Sequence, residues 1–165
     1  MLEKKICMLG TLAVGKTSLV RRFVEVIYSE NYQTSIGVKV DKKTVREAGQ
    51  EVKLMLWDIF GDDRFQKVQA SYWRAMSGYL LVVDGTRRNT LDEALALSER
   101  VIGTGLKVPA VLLVNKSDLA AQWEIGADRL AQLAESGWEI MRTSAKTGEN
   151  VDAAFSRLTL KMLGK

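Results

Sequence analysis

The chain has 165 residues, with 24 Lys and Arg against 20 Asp and Glu, one Cys, one Pro and no His. Its length suits one domain over residues 1–165, and the missing histidine excludes Ser-His-Asp and Cys-His nucleophiles, imidazole metal sites and any histidine proton shuttle. A lone Cys7 excludes an internal disulfide framework or thiolate zinc cage and agrees with a reducing, cytoplasmic setting, while a net charge of +4 without long basic blocks argues against a nucleic-acid surface.

Lys4-Lys5 followed by an apolar stretch over 6–14 imitates a secretory signal, but Gly15-Lys16-Thr17 cuts it short. No apolar run approaches the roughly 18 residues of a membrane helix, so the chain reads as soluble. The 6–9 segment reads as a short apolar strand leading through a Gly-containing turn into a helix over 18–26. Val38, Val40 and Val45 keep an imperfect alternation, Val52, Leu54 and Leu56 a better one, and Glu47-Ala48-Gly49-Gln50 between them reads as a hairpin turn.

Continuous apolar runs at 79–83 and 108–114 read as central strands covered on both faces. Between them Leu91, Ala94, Leu95, Ser98, Val101 and Ile102 recur at helix spacing. A short strand at 138–141 precedes a final helix with Val151, Ala154, Phe155, Leu158 and Met162 along one stripe. The alternation predicts an α/β fold: a doubly wound, mostly parallel six-stranded sheet with one antiparallel edge strand and helices on both faces. Ligands in such sheets sit beyond the carboxyl ends of the strands.

At the first of those ends stands Gly10-Thr11-Leu12-Ala13-Val14-Gly15-Lys16-Thr17, a match to G-x-x-x-x-G-K-[ST] in the required strand-to-helix context. Gly10 and Gly15 permit backbone geometry that lets successive N–H groups surround phosphate oxygens, and the new helix adds its positive N-terminal dipole. Lys16 is expected to reach the β- and γ-phosphates and the Thr17 hydroxyl to ligate Mg²⁺. Ala13, Val14 and Ser18 complete the candidate phosphate contacts. The pattern points to a nucleoside triphosphate and is silent about the base.

Asn115-Lys116-Ser117-Asp118 follows one central strand and Ser144-Ala145-Lys146 the last strand. With the phosphate loop, Tyr32-Gln33-Thr34-Ser35-Ile36-Gly37-Val38, the WDIFGDDRF stretch from Trp57 to Phe65 and the YWRAMSG stretch from Tyr72 to Gly78, the chain resembles the Ras superfamily of small GTPases, and within it the Rab-like branch. The resemblance covers essentially the whole chain and implies a P-loop NTPase G domain that binds GTP and GDP. Asp118 suits that base: its carboxylate accepts from the ring N–H and exocyclic amino group of guanine, whereas adenine leaves it unpaired. The resemblance further implies that Asn115 braces the loops, the Lys116 stem covers the base, and the Ala145 N–H, between Ser144 and Lys146, meets the guanine oxygen. Tyr28 stands where the family places an aromatic ring against the base; its alternative is an ordinary surface aromatic.

For the metal, the resemblance implies Thr17, Ser35 and Asp58, with Thr34 a competitor for the Ser35 role; two hydroxyls and an outer carboxylate suit the oxygen preference of Mg²⁺. Gly61 is expected to bind the γ-phosphate through its N–H, and loss of that contact after hydrolysis would release both switch loops toward protein effectors and regulators. Two departures bear on the chemistry. The water-orienting Gln of the family is Asp62, whose charge opposes an anionic γ-phosphate, and Leu12 occupies a loop position where the family carries a small residue, crowding an incoming arginine finger. The reading is a switch that hydrolyses GTP slowly, with a GTP-binding scaffold of negligible hydrolysis as the alternative.

Ile59 and Phe60 form an apolar pair that reads either as a nucleotide-dependent partner surface or as core, and Trp57 with Tyr72 resembles a Rab-type aromatic patch. Lys39-Val40 replaces the family's acidic-aromatic pair. The chain ends at Leu163-Gly164-Lys165 without a cysteine for prenylation, so no intrinsic membrane anchor is expected.

Overall fold

A computed structural model describes residues 1–24, 32–33, 38–59 and 72–165. The first strand, β1 (Leu2–Leu9), buries its last four residues. Successive side chains leave a strand on opposite faces, so Ile6 and Met8 join one apolar cluster while Cys7 and Leu9 join another. The chain then turns into α1 (Lys16–Val24), which packs Leu19, Val20 and Phe23 onto the first cluster.

A two-residue strand, β2 (Tyr32–Gln33), precedes the hairpin of β3 (Val38–Glu47) and β4 (Gln50–Ile59). The hairpin turn is the expected one: Ala48 and Gly49 take φ of 51° and 77°, the left-handed pair that matches the twist of the flanking strands. The remaining strands are β5 (Gly78–Asp84), β6 (Ala110–Asn115) and β7 (Ile140–Thr143). β5 is buried throughout, with Leu80 and Val82 on one face and Tyr79, Leu81 and Val83 on the other, which is why its sequence is apolar without alternation.

The sheet order is β2-β3-β4-β1-β5-β6-β7. Pairs β1–β4, β1–β5, β5–β6 and β6–β7 are parallel, and β3 is antiparallel to β4. The six expected strands are present, and β2 adds a short antiparallel rung outside β3. Helix α2 (Arg88–Gly103) and helix α3 (Ala127–Glu135) cover the second face, and α4 (Val151–Met162) joins α1 on the first. Phe155 of α4 stacks on Phe23 of α1, with ring centroids 3.9 Å apart.

Two differences from the sequence reading, at Ile102 and at the start of β7, have local causes. Ile102 is 63% exposed although it falls near the apolar stripe of α2. Val101 takes the sheet-facing position at that turn, which rotates its neighbour about 100° away. Ser98 is on the stripe because it shares a 2.7 Å hydrogen bond with the buried Tyr79 hydroxyl. Strand β7 starts two residues later than expected, since Trp138 is spent on capping α3 through its N–H to the Leu133 carbonyl at 3.1 Å.

Because the chain builds outward from β1 toward β4 on one side and β5 on the other, the crevice at the carboxyl ends of β1 and β5 is a topological switch point. Register brings Met8 level with Asp58, and Asp84, Asn115 and Thr143 level with one another across three strands.

Candidate functional site

The loop over 10–17 leaves β1 at this crevice, and two glycines shape it. Gly10 has φ of 152°, and a Cβ there would lie 2.4 Å from the Val82 carbonyl oxygen. Gly15 has φ of 105°, and its Cβ would lie 2.2 Å from the Asn115 side-chain nitrogen. Ala13 is also left-handed, at φ 62°. The Lys16 ammonium reaches back over the loop and donates to the Gly10 carbonyl at 2.6 Å. From β6, the buried Asn115 donates through Nδ2 to the Val14 carbonyl at 2.9 Å and accepts through Oδ1 from the Thr143 hydroxyl at 3.1 Å.

Beside the start of α1, the Thr17 hydroxyl donates to Asp58 Oδ2 at 2.5 Å. Asp58 is only 1% exposed, and its second oxygen, Oδ1, is buried without a hydrogen-bond partner among the described residues. Burial raises its carboxyl pKa, against the opposing pull of the Thr17 hydrogen bond and the Lys16 and Lys39 charges; nearby Asp41 adds to the rise. A hydroxyl and a carboxylate with one oxygen open are hard donors that fit Mg²⁺.

On the other side of the crevice Lys116 adopts a left-handed backbone, φ 73°, and its carbonyl accepts the Trp123 indole N–H at 2.8 Å. That turn starts a short 3₁₀ segment (Ser117–Gln122) and leaves Asp118 exposed. The buried Ser144 hydroxyl donates to Asp118 Oδ1 at 2.7 Å and accepts the Thr147 N–H at 3.1 Å. The second Asp118 oxygen and the half-buried Ala145 thus lie on neighbouring loops, with Lys146 exposed beyond them. The expected contacts at Tyr28, Ser35, Gly61 and Asp62 lie outside the described residues, as does Phe60.

Comparisons with known proteins give the family. The Ras family model matches residues 5–164. Rab-4A of Rattus norvegicus is 35% identical over 165 residues, covering 98% of this chain and 75% of that protein. Rab-13 of Canis lupus familiaris is 33% identical, covering 98% of this chain and 80% of its own, and human Rab-4B is 34% identical with 98% and 76% covered.

The chain belongs to the Ras family of small GTPases.

Its likeness lies with the Rab-type members. In this GTPase the aromatic pair of the sequence reading is largely internal. Tyr72 is buried, its hydroxyl donates to the Trp57 carbonyl, and the two rings meet edge-on at 6.0 Å. The Lys5 ammonium stands 3.9 Å from the centroid of the Trp57 ring, and burial lowers its pKa. No helix among the described residues is long and apolar enough to cross a membrane.

The crevice also contains a group that no sequence motif singles out. Asp84, at the end of β5, is 1% exposed and fully engaged. Its Oδ1 accepts from the Thr86 N–H at 2.9 Å and the Thr86 hydroxyl at 2.7 Å. Its Oδ2 accepts from Lys116 at 2.7 Å and from Arg87 Nε at 3.1 Å. Burial alone would raise its pKa, but Lys116, Thr86 and Arg87 outweigh that and hold it at about 2. The available signal was an Asp closing a central apolar strand at the ligand end of the sheet.

Proposed function

We propose that this chain, as one G domain over 1–165, binds GTP and GDP with Mg²⁺ and hydrolyses GTP slowly, switching its hold on protein effectors and regulators as the nucleotide changes. The observation that carries the reading is the meeting, at one topological switch point, of the Lys16-bearing loop, the Thr17–Asp58 pair with its open oxygen, and the Asn115–Ser144 side. Three parts of a guanine-nucleotide site converge from four different strands.

In this reading the backbone N–H groups of Ala13, Val14, Gly15, Lys16, Thr17 and Ser18 line the phosphates behind Gly10, and the Lys16 ammonium transfers from the Gly10 carbonyl to the outer phosphate oxygens. Thr17 and Asp58, with Ser35, hold Mg²⁺, which supplies charge neutralisation on those oxygens when bound. Asp118 accepts the two guanine N–H groups, Ala145 N–H meets the guanine oxygen, and the Ser144 hydroxyl keeps the Asp118 carboxylate aimed. Tyr28 covers the base, Lys146 flanks it, and Gly61 senses the γ-phosphate.

Hydrolysis is slow because of Asp62 and Leu12. Asp62 lacks the amide donor of the family's Gln and brings a negative charge toward an anionic centre. Leu12 is 53% exposed on the rim of the loop, where its side chain obstructs a partner's arginine. That same exposure favours a second reading, a GTP-bound scaffold that turns over negligibly. Within either reading the protein works in the cytosol with the thiol of Cys7 reduced.

The test is to denature the purified protein, identify the released nucleotide and time conversion of GTP to GDP in a single turnover. A guanine nucleotide converted slowly, and faster after Leu12→Gly combined with Asp62→Gln, is the expected result. A wild-type rate equal to that of the double variant removes the argument for slow hydrolysis, and no conversion over long incubation selects the scaffold.

A further inference from the structure

We propose that Arg87 is a positioning residue for the phosphate loop: with Lys116, and from a common anchor on Asp84, it fixes the two peptide planes flanking Ala13 and thereby aims backbone N–H groups at the nucleotide. The inference rests on the nucleotide-binding reading above and assigns to that site a residue outside every motif of the sequence.

The argument starts from the peptide bond. A trans peptide unit is planar, so its C=O and the following N–H point in opposite directions. The Leu12 carbonyl therefore dictates the Ala13 N–H, the Ala13 carbonyl the Val14 N–H, and the Val14 carbonyl the Gly15 N–H. All three carbonyls are taken by side chains from β6 and the loops after β5 and β6. Arg87 donates through a terminal guanidinium nitrogen to Leu12 at 2.9 Å, Lys116 to Ala13 at 3.4 Å, and Asn115 to Val14 at 2.9 Å. With three consecutive carbonyls turned one way, three consecutive N–H groups turn the other way, which is the geometry of an anion nest.

Ala13 is where this matters most. Its φ of 62° is a conformation that residues with a Cβ rarely adopt. Only two dihedrals join the planes on either side of Ala13, and Arg87 and Lys116 grip one plane each. Both cations are themselves tied to Asp84 Oδ2, at 3.1 Å and 2.7 Å. Asp84 is in turn held by Thr86, and its N–H is directed at the Thr90 hydroxyl oxygen, 2.9 Å away. The Arg87 N–H returns to the Asp84 carbonyl at 3.0 Å, so backbone and side chain of Arg87 are moored to the same residue.

An arginine is required because two different nitrogens act at once, Nε on Asp84 and a terminal nitrogen on Leu12. A lysine has one nitrogen on a flexible stem and cannot reproduce that fork. The neighbouring Arg88 is the natural control: it is exposed, and its contact is a backbone N–H to Glu124 at 2.9 Å.

The experiment uses the full chain loaded with a fluorescent GDP and chased with unlabelled GDP, read as a dissociation rate. Arg87→Ala and Arg87→Lys are each expected to release nucleotide roughly tenfold faster than wild type, the loss that accompanies one charge-assisted hydrogen bond. Arg88→Ala should release at the wild-type rate. Thermal unfolding separates positioning from folding: without nucleotide the Arg87 variants should lose little, because Lys116 and Thr86 still engage Asp84, and they should lose more when nucleotide is bound. A wild-type release rate in Arg87→Ala, full rescue by Arg87→Lys, or an equal loss of stability with and without nucleotide each overturns the proposal. Wild-type protein that retains no fluorescent GDP instead overturns the functional reading beneath it.

Discussion

Asp58 and Asp84 end the two strands that flank β1, and each is 1% exposed. Around Asp84 every oxygen is matched, by Thr86 on one side and by Lys116 and Arg87 on the other, and the group is held at about 2. Around Asp58 one oxygen accepts from Thr17 while the other has no partner among the described residues, and burial pushes the pKa upward. Two acids of equal burial at the same end of one sheet therefore have pKa values shifted in opposite directions. A buried carboxylate with all its oxygens engaged is held in its ionised form, whereas one left incomplete favours the neutral form or a cation beside it.

Substitution at each acid breaks this comparison most directly. Asp84→Ala leaves two cations without their shared partner and should cost about 3 kcal/mol in urea denaturation, the lower range for breaking a buried ion pair because Lys116 and Arg87 are partly exposed. Unchanged stability would show that Asp84 anchors nothing. Asp58→Asn should behave oppositely. Without metal the variant should equal or exceed wild type by about 1 kcal/mol, because a buried charge with one oxygen lacking a partner among the described residues is gone. The rise in melting temperature that Mg²⁺ gives the wild type should vanish in that variant, and a Mg²⁺ response that survives removes Asp58 from the metal site.

Acid titration sharpens the contrast further. The Asp84 pKa lies below that of the unfolded chain, so ionised Asp84 contributes stability at neutral pH. That contribution is about 2 kcal/mol and is lost as pH falls from roughly 4 toward 2. The wild-type advantage over Asp84→Asn should follow that course. Asp58 has the reverse sign: its raised pKa makes the ionised form a cost, relieved as pH falls through the folded value. Wild type should therefore gain on Asp58→Asn with acidification, and parallel curves for the two acids would erase the distinction.

The smallest effect concerns Cys7, which lies on β1 between the strands that bear the two acids. Burial pushes its thiol up to about 12, so it stays neutral and adds no charge to either. Alkylation of native protein at pH 8 should run at about a thousandth of the unfolded-chain rate. Fast native alkylation would mean that the strand opens more readily than its burial implies.

The parts of the molecule that were legible in the sequence are those with local causes. Apolar runs mark β5 and β6 because both faces are covered, and the Gly10-to-Thr17 spacing marks a loop whose glycines are required by contacts with Val82 and Asn115. Helix α3 was not legible as an element of its own because it buries only Leu133. Arg87 was missed for a different reason. Its contact with Leu12 spans 75 residues of chain and exists only because β5 lies beside β1. Asp84 likewise has meaning only through its register with Asn115 and the Lys116 that follows it. The proposed roles of Tyr28, Ser35, Gly61 and Asp62 rest on the sequence.

The Ala48-Gly49 turn has a consequence for how the molecule is assembled. β3 and β4 pair from Val38–Ile59 down to Glu47–Gln50 across two intervening residues, so their closure demands almost no loop entropy. Each parallel pair in the sheet joins strands separated by a long connection, such as the 50 residues that separate Cys7 from its partner Trp57. The hairpin is thus the portion of the sheet that can form within microseconds, presenting Leu54 and Leu56 as a ready surface while the crossovers are still closing. The part of the sheet that carries Asp58 is the first the chain can build.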